Sequence, residues 1–114
     1  MTPGGHPTDE EREARVLGVL TALRTALETQ DGGAAAATLR DDACWLARDG
    51  RHEGAGAAHR ARAFAEAAAR RWSPPQQKGA HAVLRWSAPG EAAGAGALVV
   101  EARGDRIVLV CETP

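Results

Sequence analysis

The spacing of apolar residues changes once along this 114-residue chain, and that change limits the folds it can adopt. Before Ser73-Pro74-Pro75, apolar residues recur every three or four positions, which is the period of an α-helix. After the prolines, they form short runs separated by turn residues, which is typical of antiparallel strands. Helices followed by strands predict an α+β domain with helices packed on one face of a sheet.

Three helices are predicted in the first part of the chain. Thr8-Asp9-Glu10-Glu11 forms a capping box, so the first helix begins there and runs to about Thr29. A short second helix covers residues 34–39 and ends at Arg40-Asp41-Asp42. The third spans about residues 57–72 and stops at the prolines. Its predicted buried face consists of Ala57, Ala61, Phe64, Ala65, Ala68 and Trp72. The arginines beside that face predict a solvated surface.

Asp49-Gly50 separates two short runs, residues 43–48 and 51–53, and therefore predicts a β-hairpin. The last third of the chain predicts a three-stranded meander with a first turn at Pro89-Gly90. Its strands are expected at residues 79–88, 95–103 and 106–113. We expect residues 1–7 to be a flexible tail and residues 8–114 to form a single domain.

The last two predicted strands are apolar at successive positions. Leu98 and Val100 alternate with Val99, and Ile107 is followed directly by Val108. A strand with one solvated face alternates apolar with polar residues, so both faces of this sheet are expected to be covered. Hydrophobic residues make up 44% of the chain, but 26 of them are alanines, so the core is thin. The sequence therefore predicts a homodimer formed through the sheet.

Composition argues against several classes of protein. A net charge of -1 disfavours a nucleic-acid-binding function, and no apolar run is long enough to cross a membrane. The polar, acidic start does not match a secretory signal, so we expect a cytoplasmic protein. Cys44 and Cys111 are too few for a disulfide framework or a cysteine metal site. We expect neither a metal nor a cofactor.

Two segments resemble the SnoaL-like group of polyketide cyclase-like proteins, within the nuclear transport factor two-like superfamily. The first is TQDGGAAAATLRDDACWLARDGRHEGAGAAHRARAF and the second is GDRIVLVCETP. The resemblance covers roughly residues 10–113. It implies a cone-shaped, cystatin-like α+β fold, in which three helices pack on a curved antiparallel sheet around a pocket. Members include isomerases, epoxide hydrolases, cyclases, dehydratases and binding domains, so the fold does not fix the function.

The family's catalytic residues do not carry over to this chain. The position that holds the base of ketosteroid isomerases is Ala47, and the chain has no tyrosine to donate to an oxyanion. The three C-terminal strands lack the aspartates of the epoxide hydrolases. Glu101 or Glu112 is the residue expected to substitute for the cyclase base, because these are the acids inside predicted strands.

His81 and Arg85 share one side of the first meander strand, so we consider two alternatives. If that side is concave, His81 carries protons and Arg85 holds an oxyanion beside Glu101. If it is convex, both are solvent or interface residues, and Ala82, Leu84 and Trp86 belong to the core. The second alternative is favoured, because that second set is the more apolar.

The ligand-binding candidates are aromatic residues and one cysteine. Trp45 paired with Phe64, together with Trp86, is expected to form the wall for a flat ligand, with Cys111 nearby. The sequence predicts two functions. One is a cofactor-free acid–base enzyme of bacterial secondary metabolism acting on a small, apolar, oxygenated molecule by cyclisation, isomerisation, dehydration or epoxide opening. The other is a non-catalytic dimeric ligand-binding protein of the same fold.

Overall fold

A computed structural model describes residues 8–88 and 94–113 of the chain. Three helices are present: α1 (Asp9–Glu28), α2 (Gly32–Ala37) and α3 (Ala55–Ala67). The strands are β1 (Leu39–Ala47), β2 (Gly50–Glu53), β3 (Arg71–Trp72), β4 (Gln76–Lys78), β5 (His81–Ser87), β6 (Ala95–Arg103) and β7 (Arg106–Thr113). The predicted tail and the Pro89-Gly90 turn lie outside the described residues. Among the described helices, none is long and apolar enough to cross a membrane.

Local caps start the first two helices. The side-chain oxygen of Thr8 accepts a hydrogen bond from the Glu11 N–H at 3.2 Å, as the capping box predicts. The Asp31 carboxylate accepts from the Ala34 N–H at 3.0 Å and starts α2. One face of α1 then packs into the core through Val16, Val19, Leu20, Leu23, Ala26 and Leu27.

The strands form one sheet in the order β2-β1-β7-β6-β5-β3, with β4 also pairing with β5. The predicted hairpin is β1–β2, and the predicted meander is β5–β6–β7. All these pairings are antiparallel except β1 with β7, which run parallel. The α+β expectation is therefore confirmed, and the sheet is mixed where antiparallel pairing alone was expected.

Two boundaries predicted from the sequence were wrong. Arg40-Asp41-Asp42 does not end α2 but lies within β1. The third helix ends at Ala67, and the residues up to Trp72 leave it. Trp72 instead lies in β3, where it pairs with Trp86 of β5 and packs its ring 6.3 Å from that of Phe64. Burial of this large ring outweighs the helical preference of the alanines before it.

Alternate residues of the central strands face opposite sides of the sheet. The side under the helices, here called the inner face, contains residues with no exposed surface, among them Trp45, Leu84, Leu98, Val100 and Val110. The other side, the outer face, contains Val83, Val99, Leu109 and Cys111, which remain partly exposed. The helices therefore build the core on one face only, and among residues 8–88 and 94–113 no helix covers the other.

Candidate functional site

A cavity of about 360 Å³ opens between the end of α3 and the inner face of the sheet. This volume lies within the range typical of small-molecule sites. The helical side contributes Arg60, Phe64 and Ala67, followed by Arg70, and the β1–β2 turn contributes Arg48. The sheet contributes Trp86, Ala95, Ala97, Leu98, Glu112 and Thr113, and Gly94 lies just before β6. We call this cavity the concavity.

Glu112 is the carboxylate of the concavity, and three hydrogen bonds hold it in place. Arg60 donates from Nε to Oε2 and from Nη2 to Oε1, both at 2.9 Å. The indole N–H of Trp45 donates to Oε2 at 2.6 Å. Such a bidentate pair is both strong and geometrically specific. The hydrogen bond to Glu112, opposed by partial burial, raises the pKa of Arg60.

Arg70 lies just beyond α3, against two aromatic rings. Its guanidinium carbon is 4.0 Å from the ring centre of Phe64 and 4.7 Å from that of Trp86, which is cation–π geometry. Its Nη1 donates to the backbone oxygen of Phe64 at 2.8 Å. Its Nε is buried and has no hydrogen-bond acceptor among the described residues. Burial lowers the pKa of Arg70, because removal from water disfavours the charged form.

The floor of the concavity depends on a glycine. Gly96 of β6 lies directly opposite Trp86 of β5 in the sheet. A Cβ atom at Gly96 would lie 2.8–2.9 Å from three atoms of the Trp86 ring, closer than side chains pack. The missing side chain therefore allows the indole to lie across the neighbouring strand.

The three predicted catalytic residues lie on the outer face. His81 Nε2 is 3.0 Å from the Glu101 carboxylate, and Arg103 is 3.7 Å from the same group. Arg85 donates to the side chain of Gln76 at 3.4 Å. None of them lines the concavity. The convex alternative is confirmed, because Ala82 and Leu84 of the same strand are buried under the helices.

The structure places two of the residues predicted for the ligand wall at the concavity. Phe64 and Trp86 line the concavity, as expected. Trp45 is fully buried behind Glu112 and does not itself form the wall. Cys111 lies on the outer face, opposite Val99, and is a free thiol, as is Cys44. Strand alternation turns Cys111 away from the concavity, so it does not line this cavity with Phe64 and Trp86.

Sequence reasoning missed Arg60 and Arg70. Both were assigned to a solvated surface because they lie off the apolar stripe of the third helix. Arg60 precedes Phe64 by four residues, so both lie on neighbouring parts of the same helix surface. That spacing was the available signal for Arg60. The sequence contained no comparable signal for Arg70, because the position of its side chain depends on where α3 ends.

A larger hollow of about 520 Å³ lies between the start of α1 and the β6–β7 turn. The charged side chains around it, Asp9, Arg12, Glu13, Arg15 and Arg103, are all exposed. Water already solvates these charges and mixed signs balance one another, so the charged groups there add little to the binding of a ligand. The concavity is the stronger candidate. Within residues 8–88 and 94–113, no group of three His, Cys, Asp or Glu side chains is arranged to hold a metal ion.

Comparison with known proteins shows what kind of fold surrounds this cavity. No protein-family model matches the chain, and no curated protein matches it. Solved structures do match. A nuclear transport factor 2-like protein of unknown function from Burkholderia xenovorans has a TM-score of 0.73 at 20% identity, covering 89% of this chain and 83% of that one. Another from Mesorhizobium loti has a TM-score of 0.71 at 18% identity, covering 95% of each chain.

A candidate polyketide cyclase from Sinorhizobium meliloti is also similar. Its TM-score is 0.69 at 18% identity, and the alignment covers 84% of this chain and 94% of that one. At such identities, structural similarity establishes the fold alone. The chain has the nuclear transport factor 2-like, cystatin-like fold, in agreement with the resemblance found in its sequence.

Proposed function

We propose that this protein binds a small, planar organic molecule in the concavity without transforming it. The observation that carries the proposal is the state of Glu112, whose oxygens already accept three hydrogen bonds. The walls around it combine apolar residues, among them Phe64, Trp86 and Leu98, with the side chains of Arg48 and Arg70. Apolar walls with a few fixed polar groups are the usual composition of a ligand site.

A general base needs an oxygen that is free to accept the proton of the substrate. Oε1 of Glu112 accepts from Arg60, and Oε2 accepts from both Arg60 and Trp45. These bonds occupy three of the about four acceptor positions of the carboxylate, and only Oε1 keeps a free lone pair. The arrangement therefore supports binding better than base catalysis.

The test of binding uses 2-naphthol, a planar, apolar and oxygenated probe. The indole N–H signals of Trp45 and Trp86 are followed by NMR, because these rings lie at or behind the concavity. We expect saturable shifts of both signals. Absence of saturable shifts with 2-naphthol and with naphthalene carboxylates and amides would overturn the proposal.

A matched pair of variants locates the binding. Ala67 is exposed and lines the concavity, whereas Ala63 is exposed on the same helix and does not. Ala67→Trp should weaken naphthol binding at least tenfold by occupying the cavity, and Ala63→Trp should leave it unchanged. Equal effects of the two substitutions would place the binding elsewhere.

The second candidate is the cofactor-free enzyme of bacterial secondary metabolism predicted from the sequence. A carboxylate beside arginines in a partly apolar cavity favours it, since arginines stabilise developing oxyanions. Similarity in fold to the candidate polyketide cyclase also supports the enzyme candidate. In the concavity the base would be Glu112. Glu101, His81 and Arg85 would act only on a substrate held at the outer face.

A probe reaction distinguishes the two candidates. A general base removes the ring C–H proton of 5-nitrobenzisoxazole, the N–O bond breaks, and a coloured cyanophenolate forms. We expect no rate above that of buffer and of the Glu112→Gln variant. Saturable turnover that Glu112→Gln abolishes and Glu101→Gln preserves would replace the binding proposal with the enzyme.

We also propose that the protein is a homodimer joined through the outer face. Val99 is 37% exposed in the middle of that face, beside half-buried Leu109 and Cys111. Light scattering should give the mass of a dimer, and Val99→Lys should give a monomer. Leu17→Lys is the control, because Leu17 is equally apolar and 45% exposed, but lies on α1. A monomeric wild type, or dissociation by Leu17→Lys alone, would contradict this assembly.

A further inference from the structure

Arg60 and Arg70, the two half-buried arginines of the concavity, differ in their charge partners. Glu112 pairs with Arg60 through two hydrogen bonds, and together these side chains carry no net charge. Arg70 forms no salt bridge with any described residue. Its partners are two aromatic rings and one backbone oxygen. Arg48 at the rim also has no salt bridge among the described residues, but it is exposed to solvent. Arg70 is therefore the partly enclosed guanidinium of the concavity whose charge the described residues do not neutralise.

The guanidinium of Arg70 is held in a fixed orientation. The rings of Phe64 and Trp86 pack against it, and Nη1 is bonded to the Phe64 oxygen. Nε is enclosed and cannot be reached. Nη2 has no acceptor among the described residues, and Arg70 lines the concavity. Nη1 carries a second N–H besides the one bonded to Phe64. This N–H and those of Nη2 form the end of the group that is available to a ligand.

We propose that Arg70 is the specificity-determining residue of the concavity and that it selects a planar molecule carrying a carboxylate. This inference rests on the proposed binding function and adds the chemical class of the ligand. A carboxylate matches the end of a guanidinium with two parallel hydrogen bonds. The aromatic part of the wall, Phe64 and Trp86, suits a ligand whose remaining atoms form a flat hydrocarbon ring.

Charge complementarity explains why a neutral ligand is a poorer fit. A guanidinium removed from water without an anionic partner is energetically unfavourable. Cation–π contacts compensate in part, and a charge-assisted hydrogen bond to a carboxylate is about twice as strong as a neutral one. A neutral amide of the same shape fills the same space without supplying the negative charge.

The experiment compares 2-naphthoate with 2-naphthamide, which have the same ring system and differ in charge. Calorimetric titration of the wild type should show naphthoate binding at least tenfold more tightly. Arg70→Gln should reduce naphthoate affinity about tenfold or more and leave naphthamide affinity nearly unchanged. Arg85→Gln is the matched control, because it removes the same charge from the outer face. It should change neither affinity.

The outcomes separate this inference from the function on which it rests. Equal affinity of the wild type for both probes would overturn the role of Arg70 and leave a binding protein. Loss of naphthoate preference in Arg85→Gln but not in Arg70→Gln would place the anion on the outer face and also overturn it. Failure of both probes and of 2-naphthol to bind would overturn the proposed function itself. The wild-type comparison remains decisive should Arg70→Gln fail to fold.

Discussion

The two faces of the sheet are built from the same strands and differ in what covers them. On the inner face, Leu98 and Val100 are fully buried beneath the helices. On the outer face, Val99 between them is more than one-third exposed. Both faces are apolar, so alternation along the strand shows that two faces exist without showing which is concave. The helices decide that, because they pack against one face alone.

The two faces also differ in how far their carboxylates are enclosed and paired. The inner carboxylate, Glu112, has an 11% exposed side chain and a bidentate partner in Arg60. The outer carboxylate, Glu101, is 24% exposed, and its partner His81 is largely in water. Ion pairs in solvent contribute little to stability, whereas partly buried pairs are costly to break. Equivalent substitutions should therefore lower the free energy of unfolding more on the inner face than on the outer face.

The largest contrast is expected between neighbouring residues of β1. Trp45→Ala removes a fully buried ring and the donor to Glu112, and should lower the free energy of unfolding by about 3–5 kcal/mol. Leu46→Ala, on the half-buried outer side, should lower it by about 1 kcal/mol in dilute protein. Urea denaturation followed by circular dichroism measures both. Similar losses would contradict the division into a packed face and an uncovered face.

Much of this architecture was predictable because it depends on local patterns. Thr8 and Glu11 identify the start of α1, and Asp49-Gly50 identifies the hairpin. The three meander strands follow from short apolar runs between turns. The parallel pairing of β1 with β7 was not predicted, since it joins segments more than sixty residues apart and leaves no local signal.

The site was less predictable than the fold because it depends on where a helix stops. If α3 continued to residue 72, Arg70 would lie on a helical surface, as the sequence pattern indicates. The burial of Trp72 in β3 ends the helix early and brings Arg70 against Phe64. Glu112 was foreseen as a candidate acid, but its partner Arg60 was not.

The next contrast compares the two carboxylates directly. Glu112→Gln removes the charge that pairs with Arg60 while keeping one acceptor oxygen, and should lower stability by about 1–3 kcal/mol. Glu101→Gln makes the same chemical change on the outer face and should lower it by about 0–1 kcal/mol. Both are measured by urea denaturation at two salt concentrations. A larger loss of stability for Glu101→Gln than for Glu112→Gln would contradict the expectation that the inner face is the more sensitive to substitution.

A smaller effect is expected from the glycine beneath Trp86. Gly96→Ala places a methyl group where the indole lies, so the ring must move. This should lower the free energy of unfolding by about 1–2 kcal/mol. Gly94→Ala is the control, because its Cβ would meet the same ring at an ordinary 4.0 Å. Near-ultraviolet circular dichroism should change for Gly96→Ala only. Identical spectra for both variants would show that the ring does not depend on this glycine.

The smallest effect is expected from the Asp49–His52 pair at the exposed β1–β2 turn. The hydrogen bond from His52 lowers the pKa of Asp49, so the ionised carboxylate favours the folded state. That stabilisation is fully present above the ordinary aspartate pKa of about 3.9 and is lost as the pH falls through the lower folded-state value. The wild type should therefore exceed Asp49→Asn slightly in urea midpoint at pH 5, and the difference should shrink on acidification. A difference in urea midpoint that is independent of pH would mean that the turn is stabilised by something other than this charge. A loss of stability as large as that of Glu112→Gln would remove the distinction between enclosed and solvated ion pairs.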